Sequence, residues 1–393
     1  MSNNEIYNSY FKSQSVPLKE IITLISGRDL NKDQYNSSEN GIPYIMGASN
    51  MNGGTLYIER WTDTPAVIGR KGDIILSVKG TIGEALILEE EEVHLSRQVM
   101  ALRTTEKACN KYVFYFIKYY VNRLKEKAKG LIPGIIREDI LSVEMPLYSI
   151  EKQKEIVVLL EKAEALIQKR KKAIAKLDEL VQSVFLDMFG DPVTNPKKWK
   201  EVKVIDVCDC IVPSRDKPKK FEGNIPWITI KDLVVEGNTT SSREGMGLTE
   251  DDIEAVNGKI IPKGSVLMSC VGDLGITSVA GTEMIINQQL HSFQCKEKIN
   301  NYFLCYLLPF KKGYMEKVAN STIVLYMNKE KCNSIPIYLP PIHIQEKFAQ
   351  TIKIVNSQRA IMEGSLKKLE GNFNSLLHQA FKDELKVNTE ITA

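Results

Sequence analysis

The sequence has no long hydrophobic run. No apolar stretch reaches about 18 residues, the length that a membrane-spanning helix needs. The opening stretch, MSNNEIYNSYFKSQS, is polar and lacks the apolar centre of a signal peptide. Hydrophobic residues make up 43% and charged residues 26% of the 393 residues, which is ordinary for a globular protein. We therefore expect a cytoplasmic protein with two or three compact units.

Metal-binding residues are scarce and scattered. The chain has seven cysteines, and the closest pair, Cys208 and Cys210, has no second Cys or His pair nearby that would complete a zinc site. The four histidines lie far apart in the sequence. We expect buried, reduced thiols and no metal centre.

Motifs that indicate catalysis are missing as well. The sequence has no G-x-x-x-x-G-K-[ST] phosphate loop, no G-x-G-x-x-G after a strand, no G-x-S-x-G elbow and no H-E-x-x-H motif. The Asn/Asp-Pro-Pro-aromatic signature of amino-methyltransferases is also absent. The acidic run from Glu89 to Glu92 is more typical of a solvated turn than of a metal site. Recognition and assembly are therefore favoured over catalysis by this chain.

Charge is nearly balanced overall but locally concentrated. The net charge is +3 at pH 7. Seven Lys or Arg residues lie between Lys111 and Arg137 with a single acid, Glu126, and eight lie between Lys197 and Lys220 with four acids. Such basic stretches suit phosphate contact, and a solvated surface is the alternative.

What the sequence does contain is an internal repeat. KGDIILSVKGTIG begins at Lys71, and KGSVLMSCVGDLG begins 192 residues later. GIPYIMG is matched by NIPWITI in the second half, SRQVMAL by NQQLHSF, and NKYVFYFIKYY by NNYFLCYLLPF. Gln153 is matched by Gln345, again 192 residues later. Five landmarks in one order predict a duplicated chain.

Each half contains a globular part and a long helix. The globular parts mix short β-branched runs with Gly, Pro and Asn turns, and they include a helix with an aromatic face, which predicts α+β domains. We expect a flexible N-terminal arm at 1–15, globular domains at 16–148 and 199–338, long helices at 149–189 and 339–385, a linker at 190–198 and a tail at 386–393.

The long helices carry a period of 3.5 residues, which predicts an antiparallel coiled coil with a pseudo-twofold relation between the halves. Arg170 and Arg359 fall at nominally apolar positions, where they either fix the pairing register or extend towards solvent. The repeating positions are Ile156, Ala163, Arg170, Leu177 and Val184, then Phe348, Val355, Met362, Leu369 and Leu376, flanked by Leu160, Ile167, Ile174, Val181 and Met188 and by Ile352, Arg359, Leu366, Phe373 and Ala380.

The beginnings of the long helices carry recurring motifs. The first is MPLYSIEKQKEIV, with Pro146, Leu147, Ile150, Glu151, Gln153 and Ile156; the second is LPPIHIQEKF, with Pro340, Pro341, Ile342 and Gln345. The helices end in LVQSVFLDMFGDPVTNPKKW and SLLHQAFKDEL. With these motifs the chain resembles the specificity (S) subunit of type I restriction–modification systems over almost its whole length.

The resemblance implies a phage-defence function without an active site in this chain. The two globular domains would be target recognition domains, and each would read one half of a bipartite site in double-stranded DNA. The helices would set the spacer and dock the methyltransferase subunits, two in number, and the restriction/translocase subunits. No cofactor is expected in this chain, whereas S-adenosylmethionine, ATP and Mg would belong to the partners.

Candidate DNA contacts come from the turns and basic stretches. Lys79 and Thr81 follow a buried strand in SVKGTIG, and Arg97, Gln98, Gln288 and Gln289 carry donors suited to base edges. Arg137, Lys329 and Arg215 are candidate basic contacts. Asp273 either accepts from a cytosine amino group or belongs to a purely structural loop.

Three other classes of function compete with this interpretation. One is a non-enzymatic coiled-coil scaffold with two protein- or glycan-binding domains. Another is the recognition part of a fused restriction–methylase, but we expect no room in the chain for its catalytic domain. The third is a subunit of a related phage-defence system with different partners.

Overall fold

The chain divides into two units, and the first is assembled from two separate stretches of sequence. The computed structural model describes residues 13–127, 134–214, 216–321 and 324–382. Unit 1 contains residues 1–171 and 365–393, and unit 2 contains residues 172–364. The two longest helices are divided between the units. They are α3 (Ile150–Phe189) and α9 (Ile342–Phe381).

Unit 1 consists of short strands and a helix with an aromatic face. The helices before α3 are α1 (Asn110–Lys127) and α2 (Arg137–Leu141). The strands are β1 (Gln14–Pro17), β2 (Ile22–Ser26), β3 (Ile42–Ile45), β4 (Met51–Asn52), β5 (Thr55–Leu56), β6 (Trp61–Thr62), β7 (Ile68–Arg70), β8 (Ile74–Ser77), β9 (Ala85–Ile87), β10 (Glu92–Leu95), β11 (Val99–Thr104) and β12 (Glu144–Leu147). Two four-stranded sheets result, with orders β2-β11-β8-β9 and β6-β3-β10-β7, beside the pairs β1-β12 and β4-β5.

Unit 2 has the same kinds of element in nearly the same order. Its shorter helices are α4 (Val204–Val207), α5 (Glu250–Ala255), α6 (Asn301–Leu307), α7 (Lys312–Val318) and α8 (Lys329–Asn333). Its strands are β13 (Lys200–Lys203), β14 (Cys208–Ile211), β15 (Ile225–Ile228), β16 (Asn238–Thr239), β17 (Gly247–Leu248), β18 (Val266–Ser269), β19 (Thr277–Ala280), β20 (Ile285–Ile286), β21 (Leu290–Cys295), β22 (Asn320–Ser321), β23 (Leu325–Tyr326) and β24 (Pro336–Leu339). The sheets have orders β14-β21-β18-β19-β16 and β17-β15-β20, beside the pairs β13-β24 and β22-β23.

The strand register repeats together with the sequence. Ile74 of β8 pairs with Ile87 of β9, and the residues 192 positions later, Val266 and Val279, pair in the same way. Because a slip of one residue would turn every side chain to the other face of the sheet, the shared register requires the same apolar pattern in both halves. The predicted α+β class and internal duplication are confirmed.

The repeated Gly and Asn landmarks contact each other. Gly72 and Gly264 both have a φ of +88°, in the left-handed region that favours glycine. The amide of Asn110, at the start of α1, donates to the Gly72 carbonyl (2.6 Å). The amide of Asn301, at the start of α6, donates to the Gly264 carbonyl (2.9 Å). The helix of each domain is thereby attached to the turn that leads into its central strand.

The repeated glutamines attach each globular domain to its long helix. Gln153 is fully buried; its side-chain oxygen accepts from the Cys109 N–H (2.7 Å), and its nitrogen donates to the Tyr148 carbonyl (2.8 Å). Gln345, also fully buried, accepts from the N–H of Asn300 (2.9 Å) and donates to the carbonyl of Pro340 (2.7 Å). One side chain therefore satisfies buried backbone groups on both elements.

The long helices α3 and α9 run antiparallel. In unit 1, Tyr148, just before α3, donates through its hydroxyl to the Ala380 carbonyl near the end of α9. Lys171, further along α3, pairs with Glu370 (3.0 Å). In unit 2, the Phe185 ring lies 5.3 Å from the ring of Phe348 near the start of α9. The predicted antiparallel coiled coil is confirmed.

All the repeating positions named from the sequence are buried or half-buried. Arg359 is only 20% exposed and forms an ion pair with Asp178 of α3, which favours a role in fixing the pairing over extension into solvent. Phe185, Phe189 and Phe381, near the C-terminal ends of the long helices, are also buried but are not at these positions. They contact aromatic residues of α1 and α6, and Phe185 and Phe189 also pack against Phe348 of the partner helix.

The ends of the chain differ slightly from expectation. Gln14 and Ser15 were assigned to the flexible arm, but they belong to β1, which pairs with β12. The helix α9 spans Ile342–Phe381, and residues 383–385, which were also assigned to it, lie outside the described residues. The remainder of the expected arm, at 1–12, and the expected tail, at 386–393, lie outside the described residues.

The substitution Gln153→Ala should lower the free energy of unfolding by about 1–3 kcal/mol, because the half-buried Cys109 N–H and the buried Tyr148 carbonyl would lose a partner. Urea denaturation measures this change. The exposed Gln182 of the same helix provides the control, since Gln182→Ala should change stability by less than about 0.5 kcal/mol. Equal effects of the two substitutions would contradict the proposed attachment.

Candidate nucleic-acid interface

A glycine turn follows the central strand of unit 1. The Ser77 hydroxyl, buried at the end of β8, accepts from the N–H of Glu84 (2.9 Å), and the Ser77 carbonyl accepts from the N–H of Gly83 (3.0 Å). Gly80 and Gly83 have φ values of +70° and +93°, which other residues adopt only with strain. The serine and the two glycines of SVKGTIG therefore fix the shape of this turn.

Three loops of unit 1 meet at one backbone position, Val78. The Val78 N–H donates to the Gln98 carbonyl (2.8 Å), and the Val78 carbonyl accepts from the N–H of Ile135 (2.9 Å). The turn at 78–83, the loop at 96–98 and the loop at 134–136 thus form one edge, which we call surface 1. Sequence reasoning named residues in or next to all three loops, and the structure brings them together.

The side chains of surface 1 differ in how they are held. Lys79, Thr81 and Gln98 are exposed. Arg97 forms an ion pair with Asp29, with 2.7 Å between its Nε and a carboxylate oxygen. Arg137 begins α2, and its guanidinium donates to the Ser26 hydroxyl (2.8 Å).

The same junction recurs in unit 2 around Cys270. Its N–H donates to the Gln289 carbonyl (2.8 Å), and its carbonyl accepts from the N–H of Met327 (2.9 Å). The preceding residue, Ser269, accepts through its hydroxyl from the N–H of Ile276 (2.8 Å), as Ser77 does in unit 1. The loops at 270–275, 287–289 and 324–328 form surface 2.

The side chains of surface 2 are less basic. The Asp273 carboxylate, for which two roles were open, pairs with the Lys312 ammonium of α7. The Gln288 amide donates to the Ser214 carbonyl (3.2 Å), and the Gln289 oxygen accepts from an asparagine amide of the same loop (3.0 Å).

Two predicted basic contacts remain. Lys329, exposed, is the first residue of α8 and follows the loop at 324–328 directly. Arg215 lies outside the described residues.

The residues that sequence reasoning missed are the partners of the predicted contacts. Asp29, which pairs with Arg97, follows β2 and is 68 residues from Arg97 in the sequence. Ser26, which accepts a hydrogen bond from Arg137, lies at the end of β2 and is 111 residues from Arg137. Lys312 lies 39 residues from Asp273. Only the folded sheet brings such pairs together, so no local pattern indicated them.

A buried histidine supports surface 2. His291 lies in β21, and its Nε2 donates to the Asn333 side-chain oxygen of α8 (3.1 Å). Burial lowers the pKa of His291 to about 4; the Asn333 hydrogen bond opposes this effect, and the charge of Lys329 adds to it. The neutral ring therefore joins the strand that follows Gln289 to the helix that begins with Lys329.

Unfolding should become easier as the pH falls from 6.5 to about 4. In this window the unfolded chain binds a proton at His291 and the folded chain does not, which removes up to about 3 kcal/mol of stability. Urea denaturation across this range should show that the free energy of unfolding depends less steeply on pH in His291→Gln than in the unsubstituted protein. His343→Gln, at an exposed position, is the control. If His291→Gln left the pH dependence of the unfolding free energy unchanged, its assignment to His291 would be contradicted.

Metal-ligating side chains are not grouped in the described part of the chain. Within residues 13–127, 134–214, 216–321 and 324–382, no group of three or more His, Cys, Asp or Glu side chains could hold a metal ion. In these same ranges no helix has the length and hydrophobicity to span a membrane.

Comparison with known proteins gives a consistent family assignment. The model of the type I restriction modification DNA specificity domain matches residues 12–178 and 196–371. The putative type I restriction enzyme MjaX specificity subunit of Methanocaldococcus jannaschii is 22% identical, covering 81% of this chain and 79% of that protein. The MjaVIII specificity subunit of the same organism is 23% identical, covering 82% and 81%.

Solved structures share the fold. A chain from a study of complex assembly and conformational transition in a type I R-M system matches with a TM-score of 0.60 and 19% identity, covering 95% of this chain and 98% of that chain. The S subunit from M. genitalium matches with a TM-score of 0.54 and 14% identity, covering 99% and 98%.

Proposed function

Because the chain belongs to the family of type I restriction–modification specificity subunits, we propose that surface 1 and surface 2 each bind one half of a bipartite DNA site. The observation that carries this proposal is the three-loop junction, which recurs in both units around Val78 and Cys270. Two matched surfaces with different side chains suit the reading of two different short sequences.

The side chains of surface 1 divide into two roles. Lys79 suits a phosphate, because a lysine is a flexible point charge that sets affinity and orientation without reading bases. Gln98 suits an adenine edge, which offers an acceptor and a donor to a side-chain amide. On surface 2, Gln288 and Gln289 are the matching base readers, and Lys329 is the matching phosphate contact.

The methylome of the host, with and without this gene, tests the proposal. Single-molecule sequencing should show methyladenine lost at one bipartite motif when the gene is deleted. An unchanged methylome, in cells where the chain is expressed and bound to a methyltransferase subunit, would contradict the proposed function.

Variants of surface 1 should alter one half of that motif only. Gln98→Ala should relax the choice at one base pair, at a cost of about 1–3 kcal/mol on the preferred sequence. Lys79→Ala should weaken binding on all sequences and reduce its salt dependence. Binding of the assembled complex to a library with both half-sites randomised measures these effects.

Lys107→Ala, in the exposed turn before α1, should leave both half-sites unchanged. A change in both half-sites on Gln98→Ala would contradict the division of the site between the two surfaces.

The long helices offer docking surfaces for partner subunits. Ile354 and Ile361 of α9 are 65% and 64% exposed, and their spacing places them on one face of the helix. On α3 in unit 1, Val158 and Leu166 are 48% and 52% exposed. Apolar side chains on an exposed helix face suit a partner helix. We assign methyl transfer from S-adenosylmethionine, and the ATP- and Mg-dependent steps, to the methyltransferase and restriction subunits that dock there.

The double substitution Ile354→Lys and Ile361→Lys should weaken methyltransferase binding by about tenfold or more, because two desolvated charges would face the partner. Copurification and titration measure the loss, and the thermal unfolding temperature should stay unchanged. Ala360→Lys, exposed on another side of α9, should bind normally. Undiminished binding by the double variant would exclude this face.

A further inference from the structure

The two units differ at one edge of the repeated sheet. In unit 2, the strand β16 pairs in parallel with β19, which gives the order β14-β21-β18-β19-β16. In unit 1 the corresponding sheet ends at β9, and among the described residues no strand covers its outer edge. GIPYIMG and NIPWITI, which precede this region, are offset by 183 residues (224 − 41), so β16 matches β5 of the β4–β5 hairpin, which pairs with β4 instead.

The exposed backbone groups of β9 correspond to groups that are paired in unit 2. There, the Val279 N–H donates to the Gly237 carbonyl, and the Thr277 carbonyl accepts from the Glu236 N–H (2.8 and 2.9 Å). The residues 192 positions earlier are Ile87 and Ala85, whose N–H and carbonyl have no partner among the described residues. Among the described residues, the outer edge of β9 in unit 1 is therefore unpaired, whereas the same edge of β19 in unit 2 is paired with β16.

A cavity of about 990 Å³ lies beside this edge. One wall is β9 itself, and the others are α1 with Phe114, α3 with Gln168, α9 with Phe373, and the glycine tip of the β4–β5 hairpin. All these residues belong to unit 1. The space is thus bounded by backbone on one side and by aromatic and polar side chains on the others.

The charged side chains near this sheet edge differ between the two units. In unit 2, burial raises the pKa of Glu236, and the charges of the Arg359–Asp178 ion pair act on it in opposite directions. In unit 1 the position matching Arg359 is Ile167, and the position matching Asp178 is Glu370. The cavity is lined by an excess of acidic side chains, because its two lysines, Lys118 and Lys171, pair with only two of its five glutamates, Glu164 and Glu370. The other three are Glu84, Glu89 and Glu161.

We propose that the open edge of β9 binds an extended segment of a partner protein as an added parallel strand, with a lysine or arginine of that segment facing Glu370. The backbone edge supplies the affinity, as in other cases of strand addition, and the acidic lining selects the basic side chain. The strand β16 and the residues before it show the shape of the segment that fits.

Two labelled peptides test the proposal on the full chain. Both carry residues 233–240, LVVEGNTT, and one of them has the change Glu236→Lys. Fluorescence anisotropy should show the lysine peptide binding at least about tenfold more tightly than the unchanged one. The chain variant Glu370→Lys should reverse this preference, whereas Glu363→Lys, exposed elsewhere on α9, should keep it.

Hydrogen exchange identifies where the peptide binds. Exchange at the amides of Ile87 and Glu89 should slow by about tenfold or more when the lysine peptide is present, because their N–H groups become paired. The amide of Leu86, which faces β8, serves as the internal reference. Equal affinity of the two peptides, no binding at about 1 mM, or unchanged exchange at Ile87 and Glu89 would each overturn the proposal.

Discussion

Each unit depends on the buried side-chain amide of one repeated glutamine. In unit 1, Gln153 at the start of α3 holds the backbone just before α1, and the first residue of α1, Asn110, holds Gly72. Gly72 leads into β8, which ends at the turn that carries Lys79. Two hydrogen-bonded steps, followed by the strand β8, therefore fix the direction of surface 1 relative to the first half of α3. Loss of the first step would leave buried amides unpaired and the surface without an anchor.

The sequence was sufficient for the features that depend on periodicity. The heptad pattern of α3 and α9 and the repeated KG, NKY and Gln landmarks predicted the duplication, the α+β class and the antiparallel helix pair. Such features are readable because the same physical requirement recurs at many positions, such as burial of Ile156, Leu160 and Ile167 along one side of α3. The repeated serine and glycines around residue 80 were visible too, because a turn with positive φ constrains residue type locally.

Features that depend on single long-range contacts were not readable. Asp29 holds Arg97 and Lys312 holds Asp273, so two predicted DNA contacts already have partners within the protein. The open edge of β9 arises because the β4–β5 hairpin pairs with itself, while its counterpart pairs with β19. Both outcomes are compatible with similar short strands of mixed polar and apolar residues. A small difference in pairing free energy, which no local pattern reveals, decides between them.

The division of α9 between the units sets the order in which a growing chain can fold. The core of unit 1 contains Tyr112 and Phe116, whose rings lie 5.2 and 5.3 Å from the ring of Phe381. Domains generally fold as they are synthesised, from the N-terminus, but this aromatic core lacks Phe381 until all of unit 2 has been synthesised. Unit 2, at 172–364, is continuous. Unit 1 therefore begins to be synthesised before unit 2 but is completed after it. Until then, the aromatic surface of α1 that packs against Phe381 stays exposed.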